Sequence, residues 1–252
     1  MFETIKNCFK VKEIRKKIFI TLLLLLIFRL GCYIPVPGID VDKFSTMINS
    51  GNYSFLEILT DITGGSLANA TLFALGISPY INASIIIQLL TVGIPALERL
   101  SKQGEEGRKK ITNITRIVTI ILAIVQSVGI IVLFGNTQDA IKTDLFGGQM
   151  WLAGVFMTVV YTAGSCLVMW IGERITAYGV GNGISLIIFI GILSTAGTTI
   201  LEKLLSITSK NVGEILLELA IFVVVTIVLF FLIVFVDLAE RKIPVQYAKQ
   251  VR

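Results

Sequence analysis

Histidine is absent from all 252 residues of this chain. That removes histidine-based catalytic triads, haem ligation by imidazole and the usual zinc sites together. Cysteine is scarce: Cys8, Cys32 and Cys166 are odd in number and widely spaced, so no disulfide framework is implied. Charge is thin too. Asp, Glu, Lys and Arg make up 15% of the chain, against about a quarter in an ordinary soluble domain, while 54% is hydrophobic and the mean hydropathy is +0.85. A fold with so few charges and so much apolar surface belongs in a membrane.

The apolar residues lie in continuous runs, not in the alternating segments of a strand-built barrel. Each run is roughly 18 to 22 residues, the length a helix needs to cross about 30 Å of hydrocarbon. The expected fold is therefore all-α and polytopic. Runs at 18–36, 71–94, 117–134, 150–171, 184–201 and 215–236 predict six transmembrane helices. The first follows a basic stretch, as a signal peptide would, but it lacks a small-residue cleavage site and leads into PVPGID, so it is read as a mature span.

Lys and Arg sort the connecting segments into two sides. One side carries Lys6, Lys10, Lys12, Arg15, Lys16 and Lys17, then Arg99, Lys102, Arg108, Lys109, Lys110 and Arg116, then Arg174, and finally Arg241, Lys242, Lys249 and Arg252. The other has only Lys43, Lys142, Lys203 and Lys210, and Arg29 falls inside the first run. Both termini of this chain are expected to be cytoplasmic. Residues 1–17 read either as a basic amphipathic segment lying on anionic lipid or as a topogenic charge cluster alone, and 95–116 as a basic cytoplasmic loop.

Two stretches break the apolar pattern. The external segment 37–70 contains SFLEILTDITGGSLAN, which predicts a short helix over 55–63 ended by Gly64 and Gly65 as C-cap and hinge. Such a half-helix is tolerated at membrane depth only when buried in protein or lining water. The second run carries Ser78, Pro79, Tyr80, Asn82, Ser84 and Gln88 near its middle. An unpaired polar group in hydrocarbon costs about 2–7 kcal/mol, so that face needs protein or water partners. Pro79 and Gly76 predict a bent or irregular entrance to this span. Ile77, Ile81 and Ile85 fall on one helical stripe beside Ser78 and Asn82. That pattern fits a constriction that gates by dewetting, and it equally fits ordinary helix packing with Ser and Asn bonded across.

Further along, Gly179, Gly181 and Gly183 punctuate the turn before the fifth run. Their spacing matches neither phosphate-binding glycine pattern and no strand precedes them, so a tight turn with Asn182 capping the next helix is the better reading. No carboxylate lies centrally in a run: Glu218 is near the outer end of the sixth and Asp237 at its inner end. This weakens the alternative of a secondary transporter with discontinuous helices, and a membrane hydrolase lacks any paired acid and base.

GISPYINASIIIQLL at 76–90 and WIGERITAYGVGNGIS at 170–185 closely resemble signature segments of the SecY family, central subunits of bacterial protein-translocation channels. IPVPGID at 34–40, GGSLANATLFALG and EEGRKKITNITR extend the resemblance along the chain. It implies a protein-conducting channel that passes unfolded secretory proteins and releases membrane segments sideways into lipid. No catalytic centre, cofactor or metal is expected. Residues 55–66 resemble the plug, through Phe55, Leu56, Ile58, Leu59, Ile62, Gly64, Gly65 and Ser66. Ile77, Ile81 and Ile188 match pore-ring positions, and Asn82 and Gln126 match the lateral gate. The loops at 98–116 and 237–252, with Arg108, Lys109, Lys110, Arg241 and Lys242, would dock cytoplasmic partners. Implied partners are the SecE and SecG subunits, the SecA motor, the ribosome, signal sequences and nascent chains, and the bilayer of the bacterial plasma membrane. The family is built as ten spans in two inverted halves. Six runs correspond to the N-terminal half plus the sixth helix, so this chain is expected to be a truncated portion.

Overall fold

The computed structural model describes residues 11–48, 54–135, 141–143, 147–206 and 212–240. Among these residues the regular elements are helices: α1 (Lys12–Gly31), α2 (Val41–Ile48), α3 (Ser54–Ile62), α4 (Ser78–Gly93), α5 (Pro95–Ser101), α6 (Glu105–Gly135), α7 (Met150–Tyr178), α8 (Gly183–Leu205) and α9 (Val212–Asp237). The chain divides into two bodies, residues 1–196 and 197–252.

Four helices are long and apolar enough to cross a bilayer, over Glu105–Leu133, Met150–Tyr178, Gly183–Leu205 and Ile215–Asp237. Among the described residues a fifth is counted if the bent pair α4 and α5, which turn by 105° at Ile94, is one span. Pro95 sets that turn: it starts α5 and holds Ile94 extended, with φ −109° and ψ 113°. The first run differs from expectation. Its helix begins at Lys12 and ends at Gly31, so the charges of Lys12, Arg15, Lys16, Lys17 and Arg29 sit on the same helix as the leucine run.

The second run departs furthest from a plain span. Its helix covers only Ser78–Gly93, 16 residues or about 24 Å, too short for the hydrocarbon by itself. Pro79 does not kink a helix; it stands in the first turn, where its missing N–H is no loss. Residues 63–77 run as successive turns, with Ala70 at φ +46° and Gly76 at φ +54°. This irregular backbone is enclosed by protein: Leu67, Ala70, Thr71, Phe73 and Ala74 are all buried. Several of its carbonyl and amide groups are bonded inward. Val36 donates to the Ala70 carbonyl at 3.0 Å, Leu72 donates to Ile34 at 2.9 Å, and the Ser165 hydroxyl donates to Gly76 at 3.3 Å. Burial in protein is the condition under which non-helical backbone survives at membrane depth.

Two apolar clusters flank that segment. One gathers Val36, Phe44, Ile48, Leu56, Leu67, Leu75, Ala123, Met157 and Tyr161. The other gathers Leu25, Phe28, Cys32, Phe73, Ile77, Val168, Ile171, Ile175 and Ile187, with Phe28 and Phe73 stacked at 5.9 Å. The stretch expected as a loop at 95–116 is mostly helical: α5 and the first turns of α6 account for it, with Gly104 and its neighbours as the turn between. Arg116 on α6 clasps Glu173 on α7 through two hydrogen bonds of 2.8 and 2.7 Å. Between α6 and α7, Lys142 donates its backbone N–H to Gly38 at 2.8 Å and its ammonium lies 3.4 Å from Asp40.

In the second body lies α9, the most apolar of the described helices. Lys203 and Glu218 form an ion pair there.

Candidate functional site

The short external helix is present over Ser54–Ile62 and is closed by its glycines. Gly65 donates to the Thr60 carbonyl at 2.9 Å and Gly64 to Asp61 at 3.2 Å, the paired bonds of a Schellman cap. Gly64 takes φ +68°, a conformation any other residue adopts only under strain. Along the helix Leu56 and Leu59 turn inward while Ile58 stays 57% exposed, and Ile62 is half-buried. Ser66, just beyond the cap, is buried. Phe55 belongs to the helix.

Leu56 and Leu59 face a cavity of about 240 Å³. Its wall also includes Thr63, Leu67, Leu75, Ser78, Asn82, Gln126 and Ile130. Thus the half-helix, the polar start of α4 and the middle of α6 converge on one space. Asn82 and Gln126, 44 positions apart, share its lining. That arrangement gives Ser78 and Asn82 of the second run a common protein-lined recess, with an apolar wall supplied mainly by leucines.

Beside the recess, Ile77, Ile81 and Ile188 meet in the second apolar cluster. They are not equivalent. Ile77 is 4% exposed and packed inside, whereas Ile81 and Ile188 are only half-buried and keep a free face. Ile187, beside Ile188, points into the cluster at 2% exposure.

The glycine-rich turn at 179–183 acts structurally. Asn182 Oδ1 accepts from the backbone N–H of Ile184 at 3.0 Å and of Ser185 at 3.4 Å, capping α8. The Thr21 hydroxyl oxygen accepts from Val180 N–H at 3.0 Å, tying the turn to α1.

Of the residues expected to dock partners, Arg108, Lys109 and Lys110 are exposed in the first turns of α6. Arg241 and Lys242 lie outside the described residues, as do 1–10 of the basic N-terminal segment. Sequence reasoning noticed Arg29 but gave it no partner. Its guanidinium donates to the Gly64 carbonyl at 3.5 Å and to the Ser194 hydroxyl, and it lies 5.4 Å from the centre of the Tyr33 ring. A lone charge inside an apolar run was the signal that could have marked it.

Membrane-capable helices around a buried, irregular segment, with a short capped helix over a partly polar recess, define a polytopic helical membrane protein whose interior is not fully packed. A family model described as SecY matches residues 71–252. The chain belongs to the SecY family. The protein translocase subunit SecY of Staphylococcus carnosus (strain TM300) is 42% identical over 253 residues, and that of Streptomyces coelicolor 40% identical over 261. Each match covers 99% of this chain and 58% of the relative, so the chain spans under two thirds of their length. Among solved structures, Sec61 in the canine ribosome-channel complex from the endoplasmic reticulum matches the fold with a TM-score of 0.53 and 21% identity, covering 91% of this chain and 49% of that one.

Proposed function

We propose that this chain forms part of a protein-conducting channel that passes unfolded secretory proteins across the membrane and lets apolar segments leave sideways into lipid. The observation that carries the reading is the convergence of Leu56 and Leu59 of the half-helix with Asn82 and Gln126 on one recess. A recess closed by a removable nine-residue helix, and bordered by a polar pair on two neighbouring helices, suits a barrier that yields to an incoming chain. In this reading α3 with its cap is the plug, and Ile81 and Ile188 present the apolar constriction with Ile77 packed behind them. Asn82 and Gln126 mark the seam where a signal sequence intercalates.

The chain supplies no chemistry of its own in this function; a partner supplies the driving force. The relatives' name, protein translocase subunit, supports assembly with further subunits, and the ribosome in the canine complex supports the ribosome as a partner; SecE, SecG and the SecA motor are the partners that the family resemblance implies. Exposed Arg108, Lys109 and Lys110 offer the cationic surface such partners would meet. The lysine and arginine distribution supports a cytoplasmic position for both ends of this chain at a bacterial plasma membrane.

The test is photocrosslinking. A photoreactive residue at Asn82 or Ile81, in the chain assembled with its partner subunits in membranes, should capture a stalled secretory polypeptide. A probe at Trp151, exposed on α7, should not. Equal capture at all three positions, or none at Asn82 and Ile81, would refute the assignment.

A further inference from the structure

We infer that Arg29 is a positioning residue that latches the half-helix in its resting place. The inference rests on the reading of α3 as a plug, and it assigns a restraint that this reading alone does not supply. Arg29 sits on α1, inside an apolar run, where an unpaired guanidinium is costly. Among the described residues it has no carboxylate partner in an ion pair. It spends its donors instead on the Gly64 carbonyl at the C-terminal end of α3 and on the Ser194 hydroxyl of α8, with the Tyr33 ring 5.4 Å away.

The choice of acceptor matters. Gly64 stands just past Ile62, so the cation lies by the negative C-terminal pole of α3 while bonding the carbonyl of its cap. A second contact holds the same end: the Thr195 hydroxyl donates to the Asp61 carbonyl at 3.3 Å. Backbone also closes in from α8. A Cβ at Gly64 would lie 3.0 Å from the Gly191 carbonyl oxygen and 3.1 Å from its Cα, so α3 and α8 meet glycine to glycine. One charged side chain thereby joins α1, α8 and the end of the short helix. If α3 moves away, Arg29 loses the Gly64 carbonyl and Thr195 loses that of Asp61. The latch therefore favours the resting position.

The experiment uses the chain assembled with its partner subunits in lipid, with Cys8, Cys32 and Cys166 changed to alanine. Spin labels at Ile58→Cys and Ile192→Cys, both exposed positions, report the separation of α3 from α8. Arg29→Gln should broaden that distance distribution toward longer values and raise resting ion conductance roughly tenfold, about 1.4 kcal/mol of hold. Arg29→Lys, which keeps the charge, should recover most of both. An unchanged distribution in Arg29→Gln overturns the latch, and so does a Lys variant no better than Gln. Broadening without increased conductance would uphold the latch and remove the plug reading. Should Arg29→Gln fail to assemble, Ser194→Ala carries the test by freeing one arm of the guanidinium, and a distribution as narrow as the parent's then overturns the proposal.

Discussion

Replacing Gly64 by alanine tests the cap of α3 and the latch above it in one measurement. Two costs arise. The first is conformational: φ +68° at Gly64 costs an L-residue about 1–2 kcal/mol. The second is steric, because the new Cβ would lie 2.7 Å from Arg29 Nη1 and 3.0 Å from the Gly191 carbonyl. Backbone at Gly191 cannot yield easily, so Arg29 must withdraw and give up a charged hydrogen bond of about 1.5–3 kcal/mol. The two overlap because one motion relieves both, leaving roughly 2–4 kcal/mol, or about 30- to 700-fold in a local opening equilibrium.

Gly65 provides the internal control. It also has positive φ, +83°, yet a Cβ there meets only Asn69 Nδ2 at an ordinary 3.7 Å. Gly65→Ala should therefore carry the conformational cost alone, about 5- to 30-fold. Hydrogen exchange reads both directly, because the Gly64 and Gly65 amides are the donors that close the cap. The expected order is parent slowest, Gly65→Ala intermediate, and Gly64→Ala fastest at the amides of residues 60–65. If the two alanine variants exchange at the same rate, the contact among Gly64, Arg29 and Gly191 contributes nothing and the steric argument is wrong.

Three further outcomes are expected. Asp40 has its carboxyl held below the usual carboxylate range by the Lys43 backbone N–H, helped by the Lys142 charge. The stability it lends is complete above the ordinary value of about 3.9 and is lost as pH falls through the lowered folded value. Melting of the parent and Asp40→Asn should therefore differ by a constant amount above about pH 5, and the gap should close in stronger acid. Tyr161 is 1% exposed, and its hydroxyl has no hydrogen-bond partner among the described residues. Tyr161→Phe should be neutral or stabilising by about 1 kcal/mol in thermal unfolding, and a loss above that size would mean the hydroxyl is bonded. Ile81→Asn with Ile188→Asn should raise resting ion conductance in the assembled channel by wetting the constriction, and an unchanged conductance would remove them from it.

Features set by local chemistry were legible beforehand. The half-helix was expected over 55–63 and is found at Ser54–Ile62, because a leucine and isoleucine pattern followed by two glycines defines both a helix and its stop. Asn182 was expected to cap α8 and does so, since a capping side chain needs only backbone two and three residues ahead. Gly76 and Pro79 signalled an irregular entrance, and the helix indeed starts only at Ser78. The extent of the irregularity was hidden. Hydropathy measures whether side chains suit an apolar medium, and Phe73, Ala74 and Leu75 suit a protein interior as well as they suit lipid. The run at 71–94 therefore looked like a whole crossing. The basic stretch at 95–116 looked like a loop for the converse reason, since charge marks contact with water and says nothing of whether the backbone is helical.

The recess and the latch were beyond local reading because their members are brought together only by the tertiary fold. Gln126 comes to line the same recess as Asn82 through the packing of α6 on α4, and Arg29 reaches residues 35 and 165 positions away. What the sequence did display was the anomaly that required them: one cation in a leucine run and a cluster of polar side chains in an isoleucine run. In a medium that penalises each such group by several kcal/mol, neither persists without partners. The partners prove to be of two kinds. Arg29 is satisfied by the Gly64 carbonyl, which a moving α3 would take away, and by the Ser194 hydroxyl of α8, which stays, whereas Ser78 and Asn82 line the recess. The end of α3 is thus bonded to Arg29, while Leu56 and Leu59 of the same helix line the recess.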